Sequence, residues 1–171
     1  MKDTLTESLE KYLLAIYEIV KVNKAARVKD VSNYLKIGGP ATSDAVKTLA
    51  ARKYINYVPY GIITITPKGE RKAKEKIKRH TTISNFLEKV LMIPKEEVDN
   101  AAKHIEYSMT DDILDKFIKF LAFMEACSCK ESKWIKSYKH YNSTGEMQDK
   151  CKQCLENNSG NSDKKCGCDC C

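Results

Sequence analysis

The chain has 171 residues, 42% of them hydrophobic and 31% charged, with a formal net charge of +7. That length holds one ordinary domain, or two small ones with a tail, and the apolar fraction is enough for a packed core. The basic excess suits a polyanionic partner such as nucleic acid or an anionic membrane, although lysine-rich soluble proteins reach similar values without one. The opening MKDTLTESLE has no apolar stretch like that of a signal peptide, and no run approaches a membrane span. A cytoplasmic protein with no membrane partner is therefore expected. In that compartment the eight cysteines, all between Cys127 and Cys171, are expected as thiols or metal ligands and not as disulfides.

The spacing predicts a first helix over residues 4–22, with Thr4 and Glu7 in a capping-box pattern. Leu9, Tyr12, Leu13, Ile16, Tyr17 and Val20 recur at helical intervals and form one apolar stripe, with Lys11 roughly opposite it. A second helix is expected over 28–36, with Val28, Val31 and Leu35 inward. Ile37-Gly38-Gly39-Pro40 should break it, since glycine permits positive φ and proline suits the first turn of a new helix. The third helix, Pro40 to Arg52, places Thr42, Ala45, Val46 and Leu49 inside and Ser43, Asp44, Lys47, Thr48 and Ala51 outside.

Two short helices joined by a glycine turn, the second with a small polar outer face, can enter a major groove. Ile55, Tyr57, Ile63 and Ile65 then alternate with more polar residues around Pro59-Tyr60-Gly61, which reads as a hairpin. A hairpin directly after the recognition helix is what a wing requires; the alternative is a helical hairpin with a stray ribbon. In the winged reading Pro40, Ala41 and Ser43 sit at the phosphate-facing start of the recognition helix. Ser43, Asp44, Lys47 and Thr48 face the groove, and Tyr60 touches the backbone from the wing tip. Asp44 repels phosphate but can accept from cytosine, so it would shape base preference.

Thr66-Pro67 should start a long helix whose exposed face carries Lys68, Arg71, Lys72, Lys74, Lys76, Lys78 and Arg79. Its inward seam is Ala73, Ile77, His80, Ser84, Leu87 and Leu91. Pro94 opens another helix, with Val98, Ala101, Ala102, Ile105 and Met109 inward and Glu106 beside them. Thr110 caps a last one whose stripe is Ile113, Leu114, Phe117, Leu121 and Met124. Helices this apolar after a small DNA-binding head suggest a homodimer, since a palindromic operator needs two heads at fixed spacing; completing a monomeric core is the alternative.

The fold class expected is mainly α: a winged helix-turn-helix over 1–66, a helical dimerisation and metal-site domain over 67–125, and a cysteine-rich, largely irregular tail over 126–171. Within the tail, KWIKSYKHY is a short helix or an adhesive segment, and ENNSGNSDKK reads as disordered.

Residues 5–124 resemble the DtxR/MntR family of metal-dependent transcriptional repressors. The likeness lies in EKYLLAIYEI, IGGPATSDAVKTLAARKYI, YVPYGIITITPKGE, KRHTTISNFLEKVL and AAKHIEYSMTDDILDKF. It implies a dimer that binds double-stranded operator DNA when iron or manganese is plentiful, and no enzymatic activity. Carried over residue by residue, the family's metal ligands fall on Lys11 and Leu14 in the first helix and on His80 and Ser84 in the long helix. On the next helix they fall on Lys103, Glu106 and Tyr107, with an accessory position at Asp99. Only His80 and Glu106 keep the ligand type, with Asp99 a substitute. Two such ligands beside ammonium groups hold a hard divalent cation poorly. Either Lys11 or Lys103 pairs with Glu106, or both lysines turn to solvent and His80 is a core histidine.

The cysteines offer other metal chemistry. Cys127, Cys129, Cys151 and Cys154 can hold a tetrahedral zinc ion or an iron–sulfur cluster. Cys166, Cys168, Cys170 and Cys171 form a denser set suited to zinc or another soft metal. The expected function is a metal-responsive DNA-binding regulator, a repressor of metal-homeostasis genes. The rivals are a metal-buffering or metal-transfer protein and a metal-independent regulator on the same scaffold. No thiol falls in a folded cleft with a histidine partner, so catalysis is not expected.

Overall fold

The computed structural model describes residues 5–127 and 133–147. The chain forms two compact units that divide between Arg79 and His80.

The first unit contains α1 (Glu7–Asn23), α2 (Val28–Leu35), α3 (Gly39–Ala51), strands β1 (Ile55–Tyr57) and β2 (Ile63–Ile65), and the first half of α4 (Pro67–Lys89). Helix α1 begins later than the sequence pattern predicted. Its cap is Thr6, whose side chain accepts from the Leu9 N–H, while Leu5 just before it is buried in the core. Helices α1 and α2 both stop on lysines in the left-handed conformation, Lys24 at φ 65° and Lys36 at φ 56°. The expected role of Gly38 and Gly39 in breaking α2 is thereby corrected: the reversal is made at Lys36, and Gly38 has a φ of −59°.

Tyr12, Leu13, Ile16 and Ile19 of α1 pack with Val31 of α2, with Ala45, Val46 and Leu49 of α3, and with Ile55, Ile63 and Ala73. Each large aliphatic side chain fully buried here contributes roughly 1.5–3 kcal/mol. The strands are antiparallel, with Ile55 opposite Ile65 and Tyr57 opposite Ile63. Ile63 also exchanges both backbone hydrogen bonds with Ala26, at 2.7 and 3.0 Å, which ties the ribbon to the α1–α2 connection.

Three features fasten α4 to the end of α3. Thr66 Oγ1 accepts from Gly69 N as a helix cap and donates toward the carbonyls of Lys53 and Tyr54. Lys68 Nζ donates to Arg52 O at 2.9 Å and lies 4.2 Å from the centre of the Tyr54 ring. Gly69 passes so close that an added Cβ would sit 2.0 Å from Tyr54 O. The basic face of α4 is therefore less uniformly exposed than the sequence implied: Lys68, Lys72, Lys76 and Arg79 are half-buried.

The second unit holds the remainder of α4, α5 (Lys95–Ser108), α6 (Asp111–Cys127) and α7 (Lys133–Thr144). Its core is Ile83, Leu87, Val98, Ala102, Leu114 and Leu121. Ile83 and Thr82 of α4 are buried although the predicted seam passed them by. Helix α6 buries Leu114 and Leu121 but leaves Ile113, Phe120 and Phe123 between 54% and 62% exposed. In the tail, residues 133–144 take the helical option as α7.

Candidate nucleic-acid interface and candidate metal centre

Helix α3 presents the surface that the sequence assigned to it. Thr42, Ala45, Val46 and Leu49 are buried, and the Thr42 hydroxyl donates to Gly38 O at 3.1 Å. Pro40 and Ala41 are exposed at the helix start, and Ser43 is half-buried. Asp44 and Lys47 stand out from the helix as an ion pair of 3.6 Å, with 78% and 62% of their side chains exposed. Thr48 is half-buried and spends its proton on Asp44 O at 2.8 Å, so its hydroxyl reaches outward as an acceptor.

The turn of the ribbon is closed by Gly61 N donating to Val58 O at 2.8 Å. Tyr60 carries the positive φ, 64°, and is fully exposed. The chain reversal thus rests on tyrosine and not on the neighbouring glycine. Val58 and Ile62 flank it, both more than half exposed. The sequence reading passed over these two, although the alternation that turns Ile63 inward already turns Ile62 outward. The ribbon offers an apolar and aromatic tip, and α3 a polar face with one acid and one base.

In the second unit, His80, Asp99 and Glu106 come together. Glu106, almost wholly buried on α5, places Oε1 3.2 Å from His80 Nδ1, and Asp99 Oδ1 lies 3.2 Å from Nε2. Lys103 Nζ donates to the other oxygen of Asp99 at 2.5 Å. Of the two lysines offered as partners of Glu106, Lys103 pairs instead with Asp99 one helical turn earlier, and Lys11 is exposed. The hydrogen bond that Glu106 accepts and the charges of the two nearby carboxylates hold the His80 pKa above its usual value, against the opposing effects of burial and of Lys103. Lys103 in turn keeps the Asp99 carboxyl below the usual carboxylate range.

This arrangement does not fit a divalent cation. With a carboxylate on each ring nitrogen, the imidazole is best satisfied as a double donor, whereas a metal needs a nitrogen lone pair. The two carboxylates approach different nitrogens, so one ion cannot gather both around one His80 lone pair. Ser84, one turn along α4, contributes only a hydroxyl, buried and without a hydrogen-bond partner among the described residues. No group of three His, Cys, Asp or Glu side chains among the described residues is arranged to hold a metal. In the first unit, Lys11 is exposed and Leu14 packs against the core. Cys127 is the last residue of α6, and Cys129, Cys151, Cys154, Cys166, Cys168, Cys170 and Cys171 lie outside the described residues.

Comparison with known proteins agrees with both units. Residues 4–63 match the N-terminal DNA binding domain of the iron dependent repressors, and residues 66–135 match their metal binding and dimerisation domain. The chain belongs to the DtxR/MntR family of metal-dependent transcriptional repressors. It is 31% identical, over 118 residues, to an uncharacterized HTH-type transcriptional regulator of Methanocaldococcus jannaschii, covering 68% of this chain and 94% of that one. It is 28% identical to the MntR of Lysinibacillus sphaericus over 120 residues, 70% of this chain and 86% of the other. The crystal structure of T. acidophilum IdeR superposes with a TM-score of 0.53 at 29% identity, covering 70% of this chain and 55% of that one. The chain thus spans about half of that IdeR. Members of the DtxR/MntR family are regulators and not enzymes, and no helix among the described residues is long and apolar enough to cross a membrane. The cysteines from Cys151 onward lie beyond both matched domains.

Proposed function

We propose that this DtxR/MntR family member is a cytoplasmic homodimer that represses metal-homeostasis genes. It would read operator DNA with α3 and the ribbon, and take its metal signal chiefly through the cysteine-rich tail. The observation that carries the DNA-binding part is the outer face of α3. Pro40, Ala41 and Ser43 stand at its start, the Asp44–Lys47 pair and the Thr48 acceptor on its exposed side, and Tyr60 projects from the ribbon. Lys47 contributes one phosphate- or guanine-seeking cation, and Asp44 an acceptor suited to cytosine. The exposed Ile113, Phe120 and Phe123 of α6 support self-association, because an apolar stripe of this kind marks a surface that a second copy can cover.

The metal input follows from the chemistry of the donors. His80, Asp99 and Glu106, the residues left at the family's iron or manganese position, are engaged with one another and with Lys103. Eight cysteines in C-x-C, C-x-x-C and C-C spacing offer thiolates for zinc, another soft ion or an iron–sulfur cluster. Metal buffering or transfer is the second reading, supported by the same dense terminal cysteines.

Elemental analysis of the anaerobically purified full chain, followed by selection of DNA duplexes with and without the metal found, tests the proposal. A variant with serine at the six cysteines from Cys151 to Cys171 is expected to lose bound metal and the metal response of DNA binding together. Loss of metal with an unaltered response would favour buffering.

A further inference from the structure

The positions that the family resemblance gives to metal in α1 hold an exposed lysine, Lys11, and a core leucine, Leu14. One residue before Lys11, however, α1 reaches α4 by another route. Glu10 places Oε2 3.0 Å from Lys76 Nζ and Oε1 3.9 Å from Lys72 Nζ. All three side chains are withdrawn from solvent: 13% of Glu10, 14% of Lys76 and 23% of Lys72 remain exposed. This is not the loose surface pair that contributes almost nothing. One carboxylate is here shared by two ammonium groups in a half-buried setting. Neutralising it removes the charge that joins α1 to both lysines of α4, in a setting where little water makes up the loss.

Lys72 and Lys76 stand one turn apart, and Lys68, one turn earlier, is fixed to Arg52 O and the Tyr54 ring at the end of α3. The same face of α4 therefore grips the recognition helix at its C-terminus and α1 through Glu10. Since α1 packs directly on α2 and α3, the angle of α3 on this unit depends on both grips.

We infer that Glu10 is a positioning residue for DNA binding. Its ion pairs with Lys72 and Lys76 fix α1 to α4 without a metal ion and so hold the recognition helix in its binding arrangement. The inference rests on the DNA-binding reading above, and its test separates the two.

Amide hydrogen exchange and duplex affinity would be measured on the full chain for the wild type, Glu10→Gln, and the charge exchange Glu10→Lys with Lys76→Glu, which keeps two ammonium groups around one carboxylate. Glu10→Gln is expected to speed exchange in α1 and the first half of α4 by ~10-fold and to weaken binding of a selected duplex by ~10-fold. The charge exchange should restore both to within ~3-fold. Added manganese should rescue neither defect of Glu10→Gln. Should the charge exchange fail to fold by circular dichroism, Lys76→Gln must reproduce Glu10→Gln, and Lys72→Gln must do so more weakly, in the order of the two distances.

Unchanged exchange in Glu10→Gln or Lys76→Gln would overturn the clamp. Altered exchange with wild-type affinity would overturn the positioning role, and so would rescue by manganese. A wild-type chain that selects no duplex would overturn the DNA-binding reading itself, while the exchange data would still decide the clamp.

Discussion

The two units treat apolar surface in opposite ways. The first folds its amphipathic helices around one core, and its exposed apolar residues gather chiefly at the ribbon tip in Val58, Tyr60 and Ile62. The second buries a smaller set from α4, α5 and α6 and leaves Ile113, Phe120 and Phe123 on the open side of α6. Among the described residues, one unit keeps its exposed apolar side chains mostly at a ribbon tip, and the other leaves a row of them along α6. Their charges differ in the same sense. The first unit spends buried charge on fastening helices together, as in Glu10 with Lys72 and Lys76. The second runs a charged chain, Lys103–Asp99–His80–Glu106, from an exposed end at Lys103 and Asp99 to the buried Glu106.

The sharpest way to break the first unit without touching its reading face is Gly69→Ala. The new methyl would fall 2.0 Å from the Tyr54 carbonyl oxygen, against backbone that cannot yield as a side chain can. A loss of about 3 kcal/mol or more is expected in chemical denaturation of that unit, with the second unit's transition unmoved. Equal destabilisation of both units would erase the contrast drawn between them.

For the second unit the corresponding test is Phe120→Asp. Phe120 is more than half exposed, so its replacement should leave the fold intact by circular dichroism. If α6 forms the interface between copies, the dimer dissociation constant measured by sedimentation should rise by about 30-fold or more. A variant that sediments as the wild type would mean that Phe120 is surface and nothing else.

Much of the first unit was legible because its signals are local. The period of α3 already separated Thr42, Ala45, Val46 and Leu49 from Asp44 and Lys47, and Thr66-Pro67 marked the start of α4. What escaped was set by distant partners. Lys68, Lys72 and Lys76 read as part of one exposed basic face, solvated or in contact with phosphate, since nothing local points to Arg52 O, Tyr54 or Glu10 as their partners. The end of α1 was hidden by a different competition: Thr4 and Thr6 both offer a capping hydroxyl, and burial of Leu5 accompanies the choice of Thr6. At the metal position the sequence exposed the missing ligands but not the pairing. Lys103 could reach Asp99 or Glu106 by spacing, and only packing against α4 gives Glu106 to His80.

A smaller effect is expected from Lys47→Ala, which removes one exposed cation from α3 and frees Asp44 from its ion pair. Affinity for a selected duplex should fall by roughly 3–10-fold, and the slope of log K against log salt should shrink by about one if Lys47 meets a phosphate. An unchanged slope with relaxed base preference would assign Lys47 to a base edge instead. Loss of folding would place the residue in the core, contrary to its exposure.

The smallest effect expected belongs to His80, and it decides between an ion-pair network and a metal site. The folded pKa of His80 lies above its ordinary 6.5, chiefly because of the Glu106 hydrogen bond. The protonated ring therefore stabilises the folded unit fully below the unfolded pKa, and this contribution is lost as pH rises through the folded pKa. The stability of the second unit against denaturation should fall with rising pH across that window, with a slope of at most about one proton. His80→Gln should flatten it, because the amide donates to a carboxylate without titrating. A cation held by His80 would require the neutral ring, so added manganese would stabilise the unit increasingly as pH rises and invert the slope. A falling slope that manganese does not alter supports the network of Lys103, Asp99, His80 and Glu106, and an inverted one returns the metal to the second unit.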